Sequence, residues 1–388
     1  MASSQSSPDT IHWEGRGVRA DHVAAQLLRL RTAAADEDGF PLARASVMNL
    51  ITYAASPTLA AQAVSMVDEL AMRHPSRAII IAPATGRNFS LDAEVVLHRH
   101  PLALHGLVYE RVLLRPQGGS PEGLDTLVIP LLIPHLQSFV WWLGDPDPAD
   151  PAMRSLVSIS DRLVVDSSLG RSERLAALAS HFTGPPQARI GTSAPRLVLG
   201  DMAWSRLEPL RETLAGVFDE ANRARYLDNV ELFEVTGGTR GQRDRVTSNE
   251  LLFAGWVCAR LGYSQPVGSP DGVTLQSDSS GRRTLFAFKG SRRSRSTVGS
   301  GTRVPLRGFR LVARAASRRL EVELRANRDE GELVIRENQA PEIRRTVPLS
   351  HHAEAEALSH ELDRMGRDRV YEDALLSAAR IDAVVGHA

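Results

Sequence analysis

Two regimes of apolar spacing divide the chain. In the first half, short continuous apolar runs alternate with segments of helical period. Val23, Leu27, Leu28 and Leu30 predict a helix over 20–35. Val47–Ala54 reads as a strand. Ser56-Pro57 then supplies a cap and a first-turn proline for a helix carrying Leu59, Ala63, Met66, Val67 and Leu70. Ala78–Ala82 is a buried-type strand, and Asp92–Arg99 with Leu107–Arg115 form a strand pair around His100-Pro101. A helix over Leu124–Leu132, a strand at Ser138–Leu143, a helix at Met153–Ile159 and a strand at Arg162–Asp166 follow.

The second regime begins after a Pro- and Gly-rich linker, Gly184-Pro185-Pro186 to Pro195. Leu207, Leu210, Leu214, Val217 and Phe218 share one helical face, and Asn229–Val235 is a strand. Thr247-Ser248-Asn249-Glu250 is a capping-box pattern that opens a helix to Leu261. Beyond Gly272 the period falls to two. Thr284–Phe288, Phe309–Ala313, Leu320–Leu324, Leu333–Arg336 and Ile343–Leu349 suggest an antiparallel meander with one solvated face. Helices over 351–365 and 368–383 end the chain. The expected fold class is an α/β N-terminal domain with a mainly parallel mixed sheet, then an α+β C-terminal domain with an antiparallel meander and two terminal helices. The expected bounds are a disordered tail over 1–18, a first domain over 19–190 and a second over 191–388.

Composition narrows the function classes. Of 388 residues, 43% are hydrophobic and 24% charged, with 46 basic and 46 acidic side chains, so nothing overall selects for nucleic acid or an acidic membrane. Lys289 is the only lysine, a bias that codon usage explains. The single cysteine, Cys258, excludes an intrachain disulfide and a Cys-pair metal or redox site. No segment reaches the ~20 apolar residues of a membrane helix. The start, MASSQSSPDT, lacks a signal peptide's basic flank and apolar core, so the cytoplasm is the expected compartment.

Several patterns invite chemistry and have simpler readings. Gly237-Gly238-Thr239-Arg240-Gly241 lacks the spacing and the lysine of a phosphate loop and reads as a polar connecting loop. His98, His100 and His105 form one local group and His351, His352 and His360 another, but neither has the carboxylate or Cys support of a zinc site; no metal and no cofactor is expected. Asp166-Ser167-Ser168 ends a strand without the Gly-x-Ser-x-Gly elbow, and caps a helix starting near Arg171. Arg77, Asp166 and Trp142 are expected to meet at the strands' C-terminal ends, where α/β sheets bind ligands. Arg282, Arg283, Lys289, Arg292, Arg293, Arg295 and Arg303 sit among Ser and Gly, as a solvated loop or a contact for phosphate groups or an acidic partner surface.

The stretch over 128–148, VIPLLIPHLQSFVWWLGDPDP, is the most distinctive. Trp141 and Trp142 lie side by side in a strand, so one indole is expected in the core and the other facing outward or into a cleft, where it is the contact candidate. The segment resembles the "PLL-P-L-P-WW-G-P" signature of the glucose-6-phosphate dehydrogenase assembly protein family, OpcA. Other blocks resemble the same family in the same order. They include Arg44–Leu50, His74-Pro75-Ser76-Arg77, Glu110, Ser160–Ser167, Asp201–Trp204 with Arg206, Pro209 and Arg211, and Ser248–Tyr263. The chain departs from the pattern at His135 and Gln137, where Asp and Pro are expected, and at Tyr109, which replaces a small or thiol residue.

The resemblance implies a non-catalytic factor that binds glucose-6-phosphate dehydrogenase and promotes its active oligomer. Neither nucleic acid nor a membrane is an expected partner. The partner-contact candidates are Trp141, Trp142, Arg77, Glu110, Asp166, Trp204, Arg292 and Arg293. The alternative is an α/β enzyme or a nucleotide- or phosphate-binding protein with its site at the sheet's C-terminal edge. Cys258, inside an apolar helix, argues against a thiol switch.

Overall fold

A computed structural model describes residues 3–7, 10–38, 46–99, 108–183, 197–239, 246–291, 306–327, 330–349 and 353–385. Two compact units interleave along the chain. The first comprises Met1–Asp166, Pro186–Gly200 and Leu358–Gly366; the second comprises Ser167–Pro185, Asp201–Ala357 and Arg367–Ala388. The chain passes from one unit to the other after Asp166, Pro185, Gly200, Ala357 and Gly366. The proposed linker lies outside the described residues.

The first unit is built on a sheet with nine strands among the described residues. In chain order come β1 (Ser3–Ser7), β2 (Thr10–Gly15), helix α1 (Ala20–Asp38), β3 (Met48–Ala54), α2 (Pro57–Leu70), β4 (Ser76–Ile81), β5 (Ser90–Arg99) and β6 (Val108–Gln117). Helix α3 (Leu124–Val128), β7 (Gln137–Leu143), α4 (Pro151–Val157), β8 (Arg162–Val165) and, later, β9 (Val198–Asp201) complete it. The order across the sheet is β1-β2-β5-β6-β4-β3-β7-β8-β9. Strands β6, β4, β3, β7 and β8 run parallel, while β5, β2 and β1 join antiparallel. The chain therefore winds outward from β3 in both directions, the doubly wound pattern that βαβ units produce. The mainly parallel mixed sheet expected from the sequence is what forms.

Local chemistry explains the elements. Ser56 caps α2 by accepting a bond from Leu59 N at 3.3 Å, with Pro57 in the first turn, and Ala60, Ala63, Met66, Val67 and Leu70 are buried. The helix expected over 124–132 is shorter than foreseen. α3 stops at Val128 and a tighter 3-10 turn covers Ile129–Leu131, because Pro130 has no N–H to continue the ladder. The segment expected as a disordered tail contains β2, which pairs with β5 and buries Trp13 to 5% exposure. Its Ser-rich neighbours hide a short alternation, Ile11-Trp13-Gly15, that suffices for one strand.

The second unit holds α5 (Glu173–Leu178), α6 (Met202–Arg206), α7 (Glu208–Phe218), α8 (Ala221–Ala224), β10 (Val230–Thr239) and α9 (Ser248–Arg260). Then come β11 (Tyr263–Ser269), β12 (Gly272–Ser277), β13 (Arg283–Ser291), β14 (Leu306–Ala315), β15 (Arg318–Ala326), β16 (Glu330–Glu337), β17 (Ile343–Pro348), α10 (Glu354–Asp363) and α11 (Arg369–Val385). The last six residues of α10 belong to the first unit. The sheet order is β11-β12-β13-β10-β14-β15-β16-β17.

The meander β14–β17 is antiparallel as expected. Strand β10 inserts between β13 and β14 and runs parallel to β13, which a period-two pattern does not reveal. Gly237-Gly238-Thr239 belongs to β10 instead of the expected loop. The capping box forms: Glu250 N donates to Thr247 Oγ1 at 3.4 Å, and Thr247 N donates to Glu250 Oε2 at 2.7 Å. Phe233, Phe253, Phe286 and Phe309 pack with ring centroids 5.5–5.7 Å apart, joining α9 to the sheet. Gly255 lets α9 meet α11 closely, since a Cβ there would lie 2.4 Å from Ala374 O. On the solvated face, Lys289 pairs with Glu234 at 2.5 Å and Arg310 with Glu321 at 2.8 Å.

Candidate functional site

The two ends of the first unit's sheet carry different chemistry. At the N-terminal ends of the parallel strands, Arg77 Nε donates to Glu110 Oε2 at 2.5 Å and Arg77 Nη1 to Leu131 O at 2.7 Å. Arg31 adds a second guanidinium to the same carboxylate. Glu110 and Arg77 are buried, at 2% and 7% exposure. Beside them Asn49 Nδ2 donates to Ile133 O at 3.1 Å and Asn49 Oδ1 accepts from Ile133 N at 2.8 Å, fixing the turn before β7. A buried ion pair of this kind is held by geometry and is lost at high cost if one partner goes.

Arg77 therefore does not converge with Trp142 and Asp166. It opens β4, whereas they lie at the far ends of β7 and β8, and parallel strands put those positions at opposite edges of the sheet. Asp166 is buried, at 4% exposure. The helix expected to start near Arg171 begins at Glu173 and takes no side-chain cap. Ser167–Leu169 form a 3-10 turn instead.

The expectation of one outward tryptophan is also corrected. Trp141 is 0% and Trp142 is 2% exposed. In this interior parallel strand both faces are covered, so alternation sends the two indoles into two buried layers. Trp142 Nε1 donates to Asp145 O at 3.1 Å, and its ring stacks on Tyr53 with centroids 4.0 Å apart and planes 8° from parallel. Trp141 Nε1 has no acceptor among the described residues.

Tyr53 opens onto a cleft of about 670 Å³ at the C-terminal ends of β3, β4 and β6. Its walls are the segment after β4, the end of β6 and the turn into α3. Ala82 N to Leu114 O at 2.9 Å, Ala84 N to Pro116 O at 2.8 Å and Gly118 N to Ala84 O at 3.3 Å tie the first two walls together. Gly118 and Gly119 have φ of +63° and +84°, and a side chain on either would strike Asn88 O or the Phe89 ring. Phe89 is 57% exposed. Burial, and then Asp150, hold the Tyr53 phenol above its ordinary pKa.

In the second unit Trp204 is a core residue. Its Nε1 donates to Asp368 Oδ2 at 2.9 Å, the Arg211 guanidinium lies 3.2 Å from its ring centroid, and Tyr371 packs at 5.6 Å. Asp201 caps α6 by accepting from Ala203 N at 2.9 Å, and also accepts from Ser167 N at 3.0 Å and Tyr371 OH at 3.1 Å. Cys258 is buried; its thiol donates to Tyr263 O at 3.1 Å, and burial pushes its pKa up to about 11. Arg292, Arg293, Arg295 and Arg303 lie outside the described residues, as do His100, His105, His351 and His352.

Sequence reading missed one charged cluster. His12 Nε2 lies 3.6 Å from Glu94, which faces Glu14 across the β2–β5 ladder. The three ligand atoms fall within 4.8 Å. Arg111 and Arg115, at 3.6 and 3.3 Å, already compensate Glu94. Next to them, His98 stacks on Tyr109 with centroids 4.3 Å apart, and its Nε2 is 3.9 Å from Asp68. Burial holds His98 below the usual imidazole range, with Asp68 opposing and Arg111 adding to the shift. Of these residues sequence spacing flags only His98, because strand pairing joins positions that are far apart in sequence.

These features define a class: a two-unit α/β and α+β protein whose first sheet is doubly wound. Residues 67–181 match the "Glucose-6-phosphate dehydrogenase subunit N-terminal domain", and residues 198–375 match the corresponding C-terminal domain. The chain belongs to this OpcA family. A relative from Synechocystis sp., provisionally named OxPP cycle protein OpcA, is 24% identical over 225 residues, 56% of this chain and 43% of that one. Its counterpart from Nostoc punctiforme is 27% identical over 209 residues, 52% and 41% of the two chains. The matched segment thus spans less than half the length of these relatives. Among solved structures, a 3-ketoreductase from Actinomadura kijaniata is similar at 13% identity and a TM-score of 0.46, covering 87% of this chain and 97% of that one. No helix among the described residues is long and apolar enough to cross a membrane.

Proposed function

We propose that this chain binds glucose-6-phosphate dehydrogenase as a non-catalytic partner and promotes its active oligomer. The observation that carries the reading is the match of both halves, in order, to the two domains that define the family. The site chemistry supports it. Buried Arg77 pairs with buried Glu110, which part-buried Arg31 also meets, and buried Arg162 pairs with buried Glu361 at 2.7 Å. Removing one partner of such a pair strands the other charge, so these groups are tied to the fold.

Linkage supplies the mechanism. A partner that binds the active assembly more tightly than the inactive one shifts the population toward it, and each tenfold preference is worth about 1.4 kcal/mol. With Trp141, Trp142, Arg77, Glu110, Asp166 and Trp204 buried, Arg292 and Arg293 remain proposed contact residues. The test is titration of the chain into its own organism's glucose-6-phosphate dehydrogenase, reading specific activity. A saturable rise is expected; a flat response to excess refutes activation.

One observation favours a second reading, a ligand-binding protein: the preformed cleft at the C-terminal edge of the parallel strands. Its lining contains no Lys or Arg, so it does not favour a nucleotide or other phosphate ligand.

A further inference from the structure

We infer that the cleft at the C-terminal ends of β3, β4 and β6 is a binding site for a small uncharged ring bearing hydroxyl groups, of the size of one or two sugar units. The inference rests on the ligand-binding reading and does not depend on association with the dehydrogenase.

The site has the dimensions and the stiffness for a small molecule. About 670 Å³ falls within the range of ligand pockets. Three inter-segment backbone hydrogen bonds and the prolines at 83, 116 and 121 fix its walls, so little ordering is needed on binding.

The lining selects the chemistry. None of its side chains is charged: the polar ones are the hydroxyls of Tyr53, Thr85, Ser120 and Thr126. A phosphate or carboxylate would lose its hydration with no cation to replace it, and an amine would find no carboxylate. A neutral ligand avoids that loss. The hydroxyls keep bonding capacity after their internal bonds are counted. Ser120 Oγ accepts from Glu122 N at 3.3 Å and still has its proton to donate. Thr126 Oγ1 donates to Gly123 O at 2.7 Å and still accepts. A spare donor at Ser120 and a spare acceptor at Thr126 suit a ligand whose groups are both donors and acceptors.

Two aromatic rings complete the pattern. Trp142, stacked behind Tyr53, holds that ring in place at the cleft. Phe89, more than half exposed, also lines the cleft and rests on Gly119. Aromatic faces carry negative charge, and the positively polarised C–H edges and faces of a saturated ring pack against them. Rings for the C–H groups and hydroxyls for the O–H groups make a site for a neutral polyol ring.

The test uses phenyl β-D-glucopyranoside and its 6-phosphate as probes on the full chain. Binding is read by ligand-observed NMR and by the change in total tryptophan fluorescence, to which Trp142 behind Tyr53 contributes. The neutral probe should bind saturably in the millimolar range, and the phosphorylated probe at least tenfold more weakly. Gly123→Leu plugs the cleft: a Cβ there meets nothing nearer than Thr126 Oγ1 at 4.0 Å, and the residue's φ of −106° suits any side chain. It should weaken the neutral probe at least tenfold. Phe89→Ala, at a half-exposed position, gives the same readout with the fold intact and should weaken binding several-fold. Three results overturn the inference: no saturable binding, equal or tighter binding of the phosphorylated probe, or wild-type affinity in both variants. Activation of the dehydrogenase is measured separately, so a failure here leaves that reading standing.

Discussion

Substituting each adjacent tryptophan by phenylalanine tests how the sheet treats the two indoles. Both are fully buried, at 0% and 2% exposure, and each variant loses the same ring atoms. The transfer term for those atoms is therefore common to both, while the cavity left depends on how far each site closes. The indole N–H adds a difference of its own. Trp142→Phe removes the bond from Nε1 to Asp145 O, 3.1 Å long, a net loss of about 1 kcal/mol. Trp141→Phe removes a buried donor that has no acceptor among the described residues, which relieves a desolvation penalty of about 1–3 kcal/mol. The Trp141 variant should then be more stable than the Trp142 variant by about 2–4 kcal/mol. Urea unfolding of both proteins, with m-values compared to confirm an unchanged transition, reads the difference. Equal destabilisation of the two, within about 0.5 kcal/mol, would show that Trp141 Nε1 is satisfied and that the reasoning fails.

Glu110→Ala leaves buried Arg77 and part-buried Arg31 without their shared counter-ion and should destabilise the first unit by about 3–5 kcal/mol; a loss under about 1 kcal/mol in urea melts contradicts the structural role. With its thiol pushed up to about 11 and its Sγ bonded to Tyr263 O, Cys258 should react with a thiol reagent only after unfolding, and Cys258→Ser should respond to partner and reductant as the parent does; rapid labelling of the native chain counts against this. His98 is held below its ordinary 6.5, so the folded state disfavours the imidazolium that the unfolded chain accepts freely. Its contribution is complete above pH 6.5 and is lost as the pH falls below that value. The melting temperature should drop through this window, and His98→Gln should flatten the drop; an unchanged slope points to other groups.

Much of the architecture was legible because its signals are local. Ser56-Pro57 announced α2, Thr247 to Glu250 announced α9, and the strict alternation in β15 and β16 announced the meander. What escaped depends on position in the sheet. Alternation places Trp141 and Trp142 on opposite faces, but only the strand order puts β7 in the interior with both faces covered. Arg77 looked like a ligand-edge residue until the register set it opposite Glu110 at the other edge. Strand β10 hid its parallel pairing with β13 because its partner lies fifty residues on. The cleft was foreseen only as an edge. Its lining comes from loops whose glycines pack on one another, and nothing in their spacing marks a site.

Association with the dehydrogenase is the claim on which the account turns, and sedimentation velocity of the two purified proteins measures it most directly. Glucose-6-phosphate dehydrogenase from the same organism is run alone, with this chain in molar excess, and with a heat-unfolded sample of the chain. The account predicts a faster boundary that contains both proteins and a larger oligomeric fraction of the enzyme, seen with the folded chain alone. Two independent boundaries at every ratio, with the enzyme's own distribution unchanged, would contradict it.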